Sequence, residues 1–205
     1  MTLAATYAGT KFYVNTSATK ALTGERQLDM NNVYLGASRT LYKFDDQWTL
    51  SGGLKVTIPT SEASKDYQRQ ITGVNVAPKL AWKDGGLNIS YAPSATVNFH
   101  EYKTSYTGAS NYQYVLSNAL SAVYQFGSGL YLYGQAQYSR LISYDRNTKD
   151  SYRFMQIVGY PVGDFDLAIG HMLGGSPLAT NGIENEVRFF DSRDSTVFGM
   201  VTVSF

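Results

Sequence analysis

The sequence predicts an all-β protein: one transmembrane antiparallel up-and-down β-barrel of ten strands, with residues 1–205 forming a single domain. Three observations lead to this prediction. Apolar and polar residues alternate with period two over unusually long stretches. Short turns recur roughly every 40 residues, with longer polar connections between them. No run of about 18 apolar residues is present, which excludes transmembrane helices.

The composition suits a barrel and argues against several classes of function. The chain has 17 Tyr, 10 Phe and 2 Trp, and amphipathic rings are typical of membrane interfaces. A formal net charge of +1 gives no electrostatic footprint for nucleic acid. Because cysteine is absent, disulfides, thiolate chemistry and cysteine-ligated metals are excluded. A mean hydropathy of −0.23 is compatible with a barrel, since every second residue of its strands can be polar.

The clearest alternation lies between residues 48 and 100. In 48–58 one face is apolar and the other is polar or small, and 74–82 and 87–100 repeat the pattern. The apolar positions of the first stretch are Trp48, Leu50, Gly52, Leu54, Val56 and Ile58, and Thr49, Ser51, Gly53, Lys55 and Thr57 lie between them. A Ser-, Thr- and Asn-rich face is poor material for a dry core. We therefore expect the apolar face to meet lipid and the polar face to line a lumen.

The turns set the predicted strand count. Short turns fall at 44–46, 84–86, 127–129 and 163–164, and longer connections lie near 16–27, 59–70, 102–111, 145–151 and 174–186. Asp84-Gly85-Gly86 has the residues that a tight hairpin turn needs. Extrapolation gives ten strands with both termini on the short-turn, periplasmic side. Strands at 3–15, 112–126, 130–144, 152–162 and 165–173 alternate less regularly, and a bulge in the first would reset its facing.

The C-terminal strand carries the most specific signal. Val197, Gly199, Val201, Val203 and Phe205 share one face, and Phe205 ends the sequence. This strand resembles the assembly signal of outer-membrane proteins, and the whole chain resembles small, porin-like bacterial outer-membrane barrels. The resemblance implies localisation in the outer membrane, contact with the lipid bilayer and lipopolysaccharide, and recognition by the assembly machinery. Because export is needed, we expect that a signal peptide was removed and that Met1 is an addition.

The search for catalytic chemistry leads us to predict that the chain is not an enzyme, with no catalytic, cofactor or metal site. Lipid A deacylases carry His-x-Ser and omptin proteases carry adjacent His-Asp; here His100 precedes Glu101-Tyr102 and His171 precedes Met172-Leu173. The densest charged group, near the chain end, is interpreted as a solvated loop, with a calcium or lipopolysaccharide-bridging site as the alternative: Glu184, Glu186, Asp191, Arg193 and Asp194. Arg140 and His171 have lipid-facing parity, which fits either lipopolysaccharide phosphates or snorkelling, and Arg39 lies similarly at the other end.

Two functional hypotheses remain ahead of an outer-membrane lipid-modifying or proteolytic enzyme. The first is a narrow passive channel for ions or small polar solutes. The second is a structural or adhesive protein with a closed lumen and functional loops. The loops are short for an adhesin, which favours transport. Residues expected to line the lumen and set selectivity are Lys55, Lys79, Lys83, Arg153, Asp166, Tyr131 and Tyr133, with Tyr34, Tyr42 and Met155 as further bulky groups. The excess of lysine over acid predicts a mild anion preference.

Overall fold

A computed structural model describes residues 2–20, 28–176 and 195–203. Long strands dominate this part of the chain. The elements are β1 (Thr2–Tyr7), β2 (Thr10–Asn15), β3 (Ala18–Lys20), β4 (Leu28–Met30), β5 (Val33–Lys43), β6 (Trp48–Ile58), a π-helical turn (Ala63–Tyr67), β7 (Gln70–Asp84), β8 (Leu87–His100), β9 (Tyr112–Gln125), β10 (Tyr131–Ser143), β11 (Thr148–Val162), β12 (Phe165–Gly175) and β13 (Thr196–Val203).

Eleven of these strands form one antiparallel sheet in chain order: β1-β2-β5-β6-β7-β8-β9-β10-β11-β12-β13. The strands β3 and β4 form a separate two-stranded hairpin. Each strand of the large sheet pairs with its neighbour in sequence, which confirms the predicted all-β antiparallel up-and-down topology. Among the described residues, no helix has the length and apolar character needed to cross a membrane.

Burial in this sheet is inverted relative to a water-soluble protein. Ser90 and Ser139 are buried, at 6% and 8% exposure, whereas Leu54 and Ile169 are 48% and 60% exposed. Side chains alternate strictly along a strand, so the two sets occupy opposite sides of the sheet. We call the side of Ser90 and Ser139 the polar face and the side of Leu54 and Ile169 the apolar face. An exposed apolar surface of this extent is typical of contact with lipid.

The predicted strand 3–15 is in fact two strands. Ala8 and Gly9 adopt φ of +47° and +74°, which makes a two-residue turn that reverses the chain between β1 and β2. The large sheet therefore has eleven strands rather than the predicted ten. Thr2 pairs with Asn15, immediately before a long connection, so β1 starts at the end of the sheet that carries the long loops. The prediction that the N-terminus lies at the short-turn end was wrong for this reason.

The odd number of strands also determines the relative direction of the two edge strands, β1 and β13. In the described part of the chain, β1 pairs with β2 and β13 pairs with β12, and no pairing between β1 and β13 is present. Because the strand number is odd, β1 and β13 run in the same direction, from the long-loop end to the short-turn end.

A bulge in β5 places one aromatic residue on the face opposite to the one predicted. The register with β6 shifts between Thr40 and Tyr42, so Leu41 is the extra residue and Tyr42 lies opposite Leu50 on the apolar face. Tyr42 was expected in the lumen. Its ring instead lies 4.9 Å from that of Phe44. The paired residues Trp48 and Trp82, with ring centroids 6.5 Å apart, extend an aromatic band along the short-turn end.

Strand β11 begins at Thr148, four residues before the predicted start at 152. Thr148, Lys149 and Asp150 look like a polar connection in sequence, but they continue the ladder opposite Ile142, Leu141 and Arg140. The connection between β10 and β11 is correspondingly short, and Ser143 Oγ accepts a hydrogen bond from the Asn147 amide at 3.1 Å within it.

Side-chain amides tie the long connections to one another. Asn111 is 4% exposed, and its Nδ2 donates to the carbonyls of Gln68 and Tyr102, both at 3.0 Å. The Asn111 carbonyl in turn accepts from the amide of Tyr144. Three connections are therefore joined through one residue, and the long-loop end of the sheet forms a packed rim.

Asn111→Ala should lower the free energy of unfolding by about 1–3 kcal/mol, because it removes two hydrogen bonds donated by a buried side chain. Urea unfolding of the refolded protein in lipid vesicles, followed by tryptophan fluorescence, measures this change. Asn147 supplies the control, because its side chain is exposed in the connection between β10 and β11. Asn147→Ala should change stability by less than about 0.5 kcal/mol. Equal losses in the two variants would contradict the role given to Asn111.

Candidate functional site: the polar face of the sheet

Hydroxyl groups on the polar face pair across neighbouring strands. Ser90 and Ser121 lie opposite one another on β8 and β9, and their Oγ atoms are 2.8 Å apart. Ser117 and Ser139 repeat this on β9 and β10 at 2.7 Å. These small hydroxyls satisfy one another's hydrogen-bonding groups and project only a short distance from the polar face. The alternation that placed serines at every second position thus produces rows that run across the strands.

Aromatic residues on this face lie against glycines. Tyr13 pairs with Gly36, Tyr131 with Gly159 and Phe198 with Gly170. In each pair the ring occupies the space that a Cβ on the glycine would need. The glycines allow these rings to fold down onto the sheet, an arrangement that also stabilises glycine within a strand. Bulky residues on the polar face therefore add less obstruction than their volume suggests.

Charges on the polar face are almost all positive. In the described strands the basic residues with this facing are Lys11, Lys43, Lys55, Lys79, Lys83, Lys149 and Arg153, and the acidic residue is Asp166. Seven positive charges thus oppose one negative charge. Four of the seven were predicted from the sequence: Lys55, Lys79, Lys83 and Arg153. Lys11 and Lys43 were missed because the Ala8-Gly9 turn and the Leu41 bulge hide their parity, and Lys149 because its segment was read as a loop.

The predicted residues lie at different places on this face. Lys55 Nζ is 4.7 Å from the centroid of the Tyr34 ring, a cation–π contact. Asp166, near the short-turn end of β12, accepts a hydrogen bond from the Tyr131 hydroxyl at 3.1 Å. The guanidinium of Arg153 donates to Oε1 of Gln137. Tyr133 lies between Val123 and Ile157, so the seven predicted residues do not form a single cluster.

Charged side chains also occur on the apolar face, among them Arg39 on β5, opposite Gly52, and Arg140 on β10. Arg140 forms a bidentate ion pair with Asp150, at 2.8 and 2.9 Å, and also donates to the Tyr138 hydroxyl at 3.2 Å. Snorkelling alone does not describe this arginine, because its charge is paired within the sheet.

A second polar group on the same face includes His171. Its Nδ1 lies 2.7 Å from Gln156 Oε1 and its Nε2 lies 2.9 Å from Ser195 Oγ. Sequence reasoning missed this group because its members are 15 and 24 residues from His171 in the chain and only the β11-β12-β13 register brings them together. The other histidine, His100, lies at the rim, where its ring contacts Tyr144 edge-on with centroids 5.7 Å apart.

Several predicted residues lie outside the described part of the chain. These are the charged group Glu184, Glu186, Asp191, Arg193 and Asp194, and the terminal Phe205. Of the predicted assembly signal, Val201 is 63% exposed on the apolar face, and the backbone of Val203 pairs with Phe165. Among the described residues, no group of three or more His, Asp or Glu side chains is placed to hold a metal ion.

The sequence matches no protein-family model and no curated protein sequence. The structure is similar to two structures of in-vitro folded OmpT, an outer-membrane protein of Vibrio cholerae. One of them, in trimer form, gives a TM-score of 0.51 at 11% identity over 93% of this chain. The other gives 0.52 at 11% identity over 98% of this chain. The chain spans 62% of the length of OmpT in both cases.

The prediction that the chain is not an enzyme was wrong as an exclusion. It rested on missing motifs, whereas the likeness to OmpT at 11% identity shows the fold and no more. Because a fold alone does not determine function, the missing motifs do not exclude catalysis. What the comparisons do show is architecture: the chain has the antiparallel up-and-down sheet of an outer-membrane β-barrel.

Proposed function

We propose that this protein lies in the bacterial outer membrane, closes around its polar face, and conducts small solutes passively with a preference for anions. The observation that carries the proposal is the charge of the polar face. Seven basic side chains and one acidic side chain on that face give a net charge of +6 in the described strands. The formal charge of the whole chain is only +1, so the positive charge is concentrated where solute would pass.

Insertion in a membrane follows from the apolar face and the backbone. In hydrocarbon every backbone N–H and C=O needs a partner, and the long paired strands supply it. Closure through β1 and β13 would join two strands that run in the same direction, giving an odd-stranded barrel with one parallel pair. The exposed valines of β13, Val197 and Val201, suit contact with lipid and with the assembly machinery.

The width of an eleven-stranded barrel supports a narrow passage. Eight strands enclose an interior that side chains fill, and sixteen or more enclose an open aqueous pore. Eleven lies between these limits, so side-chain size decides the outcome. The Ser90–Ser121 and Ser117–Ser139 pairs are small and hydrogen-bonded to each other. Tyr13 and Tyr131 fold onto Gly36 and Gly159, so in a closed barrel these rings would occupy little of the lumen.

Electrostatics within such a passage favours anions. Low-dielectric walls focus the field of fixed charges, so lysines there raise the local anion concentration more than lysines on an open surface. Exposed acids in the long connections, including Glu62, Asp66 and Glu101, oppose this at one entrance. The expected preference is therefore mild and falls with salt, since screening shortens the reach of each charge.

Reversal potentials in planar bilayers under a KCl gradient test this proposal. The unmodified protein should favour chloride over potassium. Lys55→Glu with Lys79→Glu lowers the charge of the polar face by four, from +6 to +2, and should shift the reversal potential towards that for potassium. Lys65→Glu with Lys103→Glu makes the same charge change in exposed connections and should have a smaller effect.

A clear potassium preference in the unmodified protein would show that the acids of the connections control passage. Absence of conductance would favour the structural or adhesive hypothesis, in which the lumen is closed and the connections carry the function.

A second candidate function rests on a separate observation, the hydrogen-bonded chain Ser195–His171–Gln156 on the apolar face. With Nδ1 protonated and donating to Gln156 Oε1, Nε2 would accept the proton of the Ser195 hydroxyl. A serine activated by an oriented histidine is the arrangement that acyl transfer uses. On a lipid-facing surface its substrate would be an acyl ester of a membrane lipid.

A fluorophosphonate probe distinguishes this candidate, because it labels only an activated serine. Labelling of the refolded protein should be lost in Ser195→Ala and in His171→Ala but kept in Ser139→Ala, whose hydroxyl faces the other side of the sheet. An unlabelled wild-type protein would rule out the hydrolase and leave the channel proposal intact.

A further inference from the structure

A cavity of about 470 Å³ lies against the polar face where β10, β11 and β12 approach the long-loop end. The side chains that matter around it are two cations, Lys149 and Arg153, two hydroxyls, Ser139 and Ser151, and the amide of Gln137. All five are donors of hydrogen bonds. This is the part of the described polar face where two unpaired cations and several neutral donors border one space.

The spacing along β11 places the donors together. Lys149, Ser151 and Arg153 are at positions i, i+2 and i+4 of one strand, so all three face the same side. Consecutive members are roughly 7 Å apart along the strand. The two long side chains can therefore converge over Ser151 from opposite directions, with the hydroxyl beneath them.

The neighbouring strands complete the arrangement. Ser139 lies directly opposite Ser151, and Gln137 lies directly opposite Arg153. Gln137 accepts one N–H of the guanidinium through Oε1 and donates from Nε2 to Ser139 Oγ at 3.2 Å. The arginine is thereby positioned while its remaining N–H groups stay available. On the other side Arg153 pairs with Gly174, which has no side chain to fill the space.

No carboxylate among the described residues of this face neutralises the two cations. Asp166 is on β12 but lies eight residues before Gly174, towards the short-turn end, where it is bonded to Tyr131. Asp150 is adjacent to Lys149 in sequence but projects from the apolar face, where it pairs with Arg140. The described part of the chain therefore gives these two cations no counter-charge, and a bound anion would supply it.

We propose that Lys149, Ser151, Arg153 and Ser139 bind a small oxyanion of the phosphate class, either inorganic phosphate or a phosphate monoester. Access from the lumen rests on the proposed channel. A guanidinium binds two oxygens of a tetrahedral oxyanion at once, and hydroxyls donate to its remaining oxygens. Chloride has no array of oxygens to accept these hydrogen bonds. The site would therefore bind phosphate in preference to chloride, whereas the net charge of the face attracts both anions.

Titration calorimetry with inorganic phosphate, on the full chain refolded in detergent, tests the site without requiring conductance. Arg153→Gln should weaken phosphate binding roughly tenfold or more, because it removes a charge-assisted bidentate contact. Arg153→Lys keeps the charge but loses the fork and should give an intermediate loss. Lys83→Gln removes a cation from the same face at the opposite end of the sheet and should leave the affinity within about twofold of wild type.

Bilayer recordings separate this proposal from the channel itself. If both hold, phosphate should reduce the chloride current of the wild type at lower concentrations than it does in Arg153→Gln. Phosphate binding without conductance would support the site and overturn the channel. Conductance without measurable phosphate binding, or equal weakening by Lys83→Gln, would overturn the site and leave the channel standing. Unboiled gel migration matching wild type confirms that each variant is folded.

Discussion

The alternation of side chains across a fully hydrogen-bonded sheet is the constraint on which the rest of this structure depends. In lipid, no backbone polar group can be left without a partner, so the chain is committed to long strands that pair along their whole length. Once paired, each strand must send its residues alternately to two environments. Serines at 90 and 139 are buried while leucine at 54 is exposed, and this inversion is stable only if the apolar side is covered by lipid.

The same constraint determines where function can reside. The antiparallel register aligns side chains of the same face on neighbouring strands. Hydroxyls, amides and cations from distant segments of the sequence therefore contact one another. Arg153 contacts Gln137, and His171 contacts Ser195, through neighbouring strands rather than through local sequence. The positive charge of the polar face and the ion pair on the apolar face arise in the same way. The alternation along each strand therefore decides which face a functional side chain occupies, and its position along the strand decides which side chains it meets.

Much of this could be predicted from the sequence where alternation is unbroken. Between residues 48 and 100 the faces of Leu54, Lys55 and Lys79 agree with the observed registers. Prediction failed where one residue resets the parity: the Ala8-Gly9 turn adds a strand, and the Leu41 bulge moves Tyr42 to the apolar face. Cross-strand partners were beyond reach, because register depends on turn lengths and bulges that a single sequence does not display. The Arg153 cavity and the His171 contacts belong to that class.

The central claim is that alternate residues of one strand face water and lipid, and β6 tests it most directly. The chain contains no cysteine, so single cysteines at successive positions from 49 to 57 can be introduced without removing any native thiol. In the protein reconstituted in vesicles, a charged, membrane-impermeant thiol reagent should modify positions 49, 51, 53, 55 and 57 and spare 50, 52, 54 and 56. Uniform modification along the strand, or modification of the even positions instead, would contradict the claim that the polar face contacts water and the apolar face contacts lipid.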